Sequence, residues 1–143
     1  MRIYTLLFIS LYSTNSLAEN YFSVGTGYQY GGLLGLKYIH PLSEKNKVHI
    51  ALSPGFGAAV GYQRYWDSNR RHAWGVAAGF EAVLSDDGFL VATYNYYPKG
   101  FWEPGWTLGI DAGVRDAGED CYFKSCSTRT VYPALFINLG YQF

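Results

Sequence analysis

The sequence predicts an all-β protein, an eight-stranded antiparallel up-and-down transmembrane β-barrel. Three observations lead there. The 143-residue chain is rich in tyrosine (14) and glycine (17) and poor in charge: 15% of residues are Asp, Glu, Lys or Arg, against about 25% in an ordinary soluble domain. Its residues alternate with a period of two over eight successive runs. Within those runs the larger apolar side chains share one face, and Gly, Ala, Ser, Gln and Asn share the other. A soluble barrel buries the first face. A barrel in lipid turns it outward.

The runs follow in order. In Tyr21 to Tyr30, Phe22, Val24, Thr26, Tyr28 and Tyr30 oppose Ser23, Gly25, Gly27 and Gln29. In Leu33 to His40, Leu34, Leu36 and Tyr38 oppose Gly35 and Lys37. In Val48 to Ser53, Val48, Ile50 and Leu52 oppose His49, Ala51 and Ser53. In Ala58 to Trp66, Val60, Tyr62 and Trp66 oppose Ala59, Gly61 and Gln63, with Arg64 on the apolar face near the end, within reach of headgroups. In Trp74 to Ala82, Trp74, Val76, Ala78, Phe80 and Ala82 oppose Gly75, Ala77, Gly79 and Glu81. In Phe89 to Tyr97, Leu90, Ala92, Tyr94 and Tyr96 oppose Thr93 and Asn95. The seventh alternates most regularly: Trp106, Leu108, Ile110, Ala112 and Val114 against Thr107, Gly109, Asp111, Gly113 and Arg115. The eighth, Val131 to Phe143, sets Val131, Pro133, Leu135, Ile137, Leu139, Tyr141 and Phe143 against Tyr132, Ala134, Phe136, Asn138, Gly140 and Gln142. Its Pro133 belongs at a bulge or beyond the hydrogen-bonded part, since proline cannot donate to a ladder.

Turn-forming residues separate the runs: Gly31-Gly32, 41–47, 53–57, 67–73, Ser85-Asp86-Asp87-Gly88, 98–105 and 116–130. A tilted strand crosses a bilayer in about 10 residues. Eight such strands fit the chain with room for seven connections, whereas ten would leave too little for the long segment 116–130. The start of the chain reads as a secretion signal over 1–18: Met1-Arg2 is positive, Ile3 to Leu11 is apolar, and Ser16-Leu17-Ala18 offers small residues for cleavage. That apolar stretch is short of the roughly 20 residues a spanning helix needs. The barrel is then expected over 19–143.

Aromatic residues near run ends, among them Tyr21, Tyr30, Trp66, Trp74, Tyr96, Tyr97, Trp106, Tyr141 and Phe143, suggest girdles at headgroup depth, although strands favour aromatics in any setting. The last run is the most specific motif. Leu135, Ile137, Leu139, Tyr141 and Phe143 alternate up to a terminal aromatic, with Gly140 among them. This resembles the last-strand signal of bacterial outer-membrane barrels, and the chain is similar in architecture to the small OmpA/OmpX class. The resemblance implies a bacterial outer-membrane location, lipids and lipopolysaccharide as surroundings, recognition of Leu139, Gly140, Tyr141 and Phe143 by the barrel-assembly machinery, and termini in the periplasm. The connections at 31–32, 53–57, 85–88 and 116–130 would then be external. Family members have long external loops and short periplasmic turns. Here the first three external connections are tight, which disfavours a broad adhesin.

The last external connection holds Cys121 and Cys126, expected to form a disulfide in an oxidising compartment. The inward ionisable residues Lys37, His49, Glu81, Asp111 and Arg115 are expected to pair as a polar plug, since isolated buried charge is costly. A gated pore or proton-linked site is the alternative. No cofactor or metal is implied: His40, His49 and His72 lack zinc-site spacing. Formal net charge is zero, unlike a nucleic-acid binder. An acyl-modifying enzyme would need a His near Ser and acidic residues, yet no His follows His72. The expectation is therefore a non-enzymatic outer-membrane barrel with a structural or surface-interaction role; a lipid-modifying enzyme or a small-solute-handling barrel is second.

Overall fold

The computed structural model describes residues 20–81, 85–117 and 130–143. The expected signal segment, Cys121 and Cys126 lie outside the described residues. Eight strands form one closed antiparallel barrel in sequential order: β1 Tyr21–Gly27, β2 Gly32–Ser43, β3 Asn46–Ser53, β4 Gly57–Tyr65, β5 His72–Glu81, β6 Ser85–Tyr96, β7 Gly105–Ala117 and β8 Thr130–Gln142. The barrel closes where β1 meets β8, from Ser23↔Gln142 to Thr26↔Leu139.

Strand alternation sorts the side chains as two-residue periodicity requires. Leu36, Ile50, Val60, Val76, Leu90, Leu108, Ile110 and Ile137 stand exposed on the outer surface. Ser23, Lys37, Lys47, His49, Gln63, Thr93, Asn95, Thr107, Asp111, Asn138 and Gln142 are buried within. The outside is apolar and the interior is polar, the inverse of a soluble barrel.

Three local readings need correction. The first strand does not run to Tyr30. After Gly27 the chain leaves the wall and makes a single 3-10 turn, Tyr28–Tyr30, buried in the barrel interior. Glycine permits this at both ends: Gly27, Gly31 and Gly32 have φ of 121°, 79° and 139°, values that side-chain-bearing residues rarely adopt. Tyr28 and Tyr30 therefore point neither outward nor into a girdle. Second, Lys47 is not in a connection but begins the inward row of β3, because β2 and β3 extend to a tight turn at 44–45. Third, Ser85 to Gly88 is strand, not turn. Ser85 pairs with Glu81, and the register shifts across Gly79 and Glu81, so the turn-forming residues mark a bulged strand start.

The inserted turn fits because the wall beside it has no side chains. A Cβ on Gly35 would fall on the Tyr30 carbonyl oxygen, one on Gly57 on the Gly31 carbonyl oxygen, and one on Gly140 on the Tyr30 hydroxyl. Interior density there comes from the turn instead, consistent with the native close-packing of protein interiors. Tyr28 packs on Phe89 and Phe136, with ring centroids 4.9 and 6.0 Å apart.

Candidate functional site in the barrel interior

Gln29, at the centre of the inserted turn, is fully buried. Its amide joins four strands. The oxygen Oε1 accepts from Lys37 Nζ at 2.8 Å and from Gln63 Nε2 at 2.9 Å. The nitrogen Nε2 donates to Asn95 Oδ1 at 2.9 Å and to Asp111 Oδ1 at 3.2 Å. The backbone N–H of Gln29 donates to Asp111 Oδ2 at 3.3 Å. Asn138 Nδ2 adds a bond to Asp111 Oδ1 at 2.8 Å. The positive Lys37 faces the amide oxygen and the negative Asp111 faces the amide nitrogen. A neutral side chain thus connects the buried charges through its own dipole, using hydrogen bonds of the stronger, charge-assisted kind.

Tyr30 anchors the turn on the other side. Its hydroxyl lies 2.9 Å from Ser23 Oγ and 3.4 Å from Thr107 Oγ1, and Lys37 Nζ sits 4.0 Å from its ring centroid. Gly27 lies beside Asn138 and Asp111, so the chain departs from the wall next to the group it binds.

A second buried cluster lies at the end of the barrel that carries the termini. Lys47 Nζ donates to Gln142 Oε1 at 3.1 Å and to the Phe101 carbonyl at 3.3 Å. The ammonium lies 3.9 Å from the Phe101 ring centroid and 4.3 Å from that of Tyr97, a cation–π arrangement strengthened by desolvation. Phe101 comes from the connection 97–104, which folds across this mouth. The neighbouring connection supports it: Tyr97 N–H donates to the Arg71 carbonyl and Phe101 N–H to the Arg70 carbonyl, each at 2.7 Å. Tyr97 is therefore interior rather than girdle, its hydroxyl donating to Gln63 Oε1 at 2.8 Å, which links the two clusters.

Of the residues expected to line the interior, the structure brings Lys37 and Asp111 together, with Gln29 between them. His49 is fully buried on the inner face of β3, yet neither ring nitrogen has a hydrogen-bond partner among the described residues. Arg115 is only half-buried, near the opposite end on β7. Glu81 ends β5, and its side chain lies outside the described residues. Sequence reasoning missed Gln29 as the hub and Lys47 as an interior cation. One signal was available: Gly25, Gly27, Gly31, Gly32 and Gly35 crowd around residues 28–30, more glycine than one hairpin turn requires. Along the last-strand motif, Leu139 and Phe143 are exposed and Tyr141 is half-buried, while Gly140 is buried and seats Tyr30.

Among the described residues, no group of three or more His, Cys, Asp or Glu could hold a metal ion. No protein-family model matches the chain, and no curated protein or solved structure is detectably similar to it.

Proposed function

We propose that this protein is an integral barrel of a bacterial outer membrane, exported by its N-terminal signal, with a structural or surface-interaction role and an interior closed at rest by its own side chains. One observation carries the reading: the apolar surface faces out while the charges face in. Ile137 is 68% exposed and Ile50 57%, while Asp111 and Lys47 are fully buried. In water this arrangement would leave a band of leucine, isoleucine and valine unburied, far beyond the few hundred Å² of apolar patch a soluble monomer tolerates. In a bilayer it is the favoured arrangement, and closure satisfies the backbone hydrogen bonds that lipid cannot.

Further support comes from aromatic residues at the end that carries the termini. Trp66, Trp74, Trp106 and Phe143 are exposed there, and Trp106 meets Tyr141 edge-on at 5.4 Å. Lipids and lipopolysaccharide would surround the barrel, and the assembly machinery would read the β8 terminus.

Fractionation of a Gram-negative host expressing the full chain tests the reading. The expected result is a processed protein in the outer-membrane fraction whose unboiled form migrates anomalously in detergent gels, as closed barrels do. Recovery as a soluble periplasmic protein would refute it.

A further inference from the structure

The closed barrel is thinly paired beside the inserted turn. β7 pairs with β8 along its whole length, from Gly105↔Gln142 to Ala117↔Thr130. β1 pairs with β8 only up to Thr26↔Leu139. Among the described residues, β8 from Val131 to Ile137 therefore has a strand partner on one side only. The Leu139 carbonyl faces β1, and alternate backbone groups of a strand point the same way. The N–H and C=O of Ile137 thus point to the β1 side, where no strand among the described residues pairs with them; in the proposed bilayer, hydrocarbon would offer no partner. Outward side chains beside Ile137 are left bare: Leu135 is 74% exposed.

The interior also carries unused polar capacity. Besides both nitrogens of His49, Thr93 Oγ1, Asn95 Nδ2 and Asn138 Oδ1 are buried without a hydrogen-bond partner among the described residues. Asn95 and Asn138 belong to the network around Gln29. The donors Lys37 and Gln63, and the acceptors Asn95 and Asp111, are arranged around one small carboxamide.

We propose that Gln29 is a stand-in ligand: residues 28–31 form an exchangeable plug, and the polar cup they vacate binds a small solute carrying a carboxamide or a zwitterionic amino-acid group. Glycines with positive φ hinge the plug on both sides, at Gly27 and at Gly31-Gly32. Swinging out lengthens the β1–β2 hairpin. Continuing the β1 register sets Tyr28 opposite Ile137, supplies backbone bonds to Ile137, and places Tyr28 outward in line with Phe22, Val24 and Thr26. This is the alternation the sequence carries through that segment. A solute carboxylate or amide oxygen then meets Lys37 and Gln63, and its ammonium or amide N–H meets Asp111 and Asn95. The inference rests on the proposed membrane barrel for the hydrocarbon beside Ile137, but it is tested in detergent micelles, where barrel closure and plug movement are read separately.

The test introduces Tyr28→Cys and Ile137→Cys in a chain with Cys121 and Cys126 changed to serine. Adjacent positions on paired strands lie within disulfide reach. The expected result is a 28–137 cross-link formed under mild oxidation in protein that keeps its folded-barrel gel shift. The cross-linked form binds free glutamine at least tenfold more tightly than the reduced form. Folded protein that never cross-links overturns the exchange. Cross-linking without that gain in glutamine affinity overturns the solute site. Should the double variant fail to fold, Gly57→Ala replaces it, since the new Cβ collides with the Gly31 carbonyl. The Lys37 amine is then expected to react with a water-soluble acylating reagent at least tenfold faster than in the unaltered protein, and an unchanged rate overturns the plug. A chain with no folded-barrel shift in any form contradicts the membrane-barrel reading instead.

Discussion

Gln29 is the side chain on which the interior depends. Replacing it with alanine strips partners from Lys37, Gln63, Asn95 and Asp111 at once. An unsatisfied buried polar group costs about 1–3 kcal/mol, and more when charged. Gln29→Ala is accordingly expected to lower the unfolding free energy in detergent micelles by more than about 2 kcal/mol, measured by urea titration. A second residue-scale effect sits outside the wall. For the Asp67 carboxyl in the connection 66–71, desolvation is the largest single influence and pushes the pKa up. The backbone N–H groups of His72 and Arg71, donating at 2.9 and 3.0 Å, together with Asp67's own N–H and the nearby His72 charge, outweigh this and hold the carboxyl below its ordinary value. Because the folded pKa is depressed, the stabilisation is present above the ordinary carboxylate pKa and is lost as pH falls through the folded value. Comparing urea midpoints, Asp67→Asn should be less stable than the parent at pH 7, and the two should converge in acid. A gap that persists or widens in acid would contradict this.

At the scale of elements, the strands were legible in the sequence and the inserted turn was not. Alternation in Trp106 to Arg115 and in Leu135 to Phe143 gave both faces of β7 and β8, because each strand has lipid-compatible residues on one side and small or polar ones on the other. The same rule failed at 28–30. Tyrosine suits an outward strand position as well as a buried one, so period alone could not separate them. What decides the matter is tertiary: Gly35, Gly57 and Gly140 leave room inside, and Gly57 and Gly140 are distant from the turn in sequence. Lys47 was misplaced for a simpler reason, since turn-forming residues before it suggested a longer connection than the one at 44–45. The connection 97–104 makes its own prediction. Phe101 fills the mouth between Tyr65, Tyr97 and Lys47, with ring centroids 5.4 and 5.3 Å from the two tyrosines. Phe101→Ala should cost about 3–5 kcal/mol, the usual range for emptying a packed aromatic site. It should also speed proteolysis within 97–104, which limited digestion of the folded protein would detect.

For the whole molecule, the inverted distribution of polarity is the organising fact. It was legible early because it is a property of faces rather than of single residues. The polar network inside was only partly legible: Lys37, His49 and Asp111 could be placed inward, but which groups would meet depended on a turn whose path the sequence did not reveal. An apolar belt also predicts a graded response to charge. Lysine at Ile110, midway along β7, should disfavour insertion by about 2–4 kcal/mol, and much less near the strand ends. The most direct measurement places single nitroxide labels on the reconstituted barrel at Leu36, Leu108 and Ile137, and at Gln63 and Asn95 for comparison, then reads collision rates with oxygen and with a water-soluble nickel chelate. The account predicts that the three outward labels collide freely with oxygen and hardly with nickel, while the two inward ones are shielded from both. Outward labels open to the nickel chelate would contradict it.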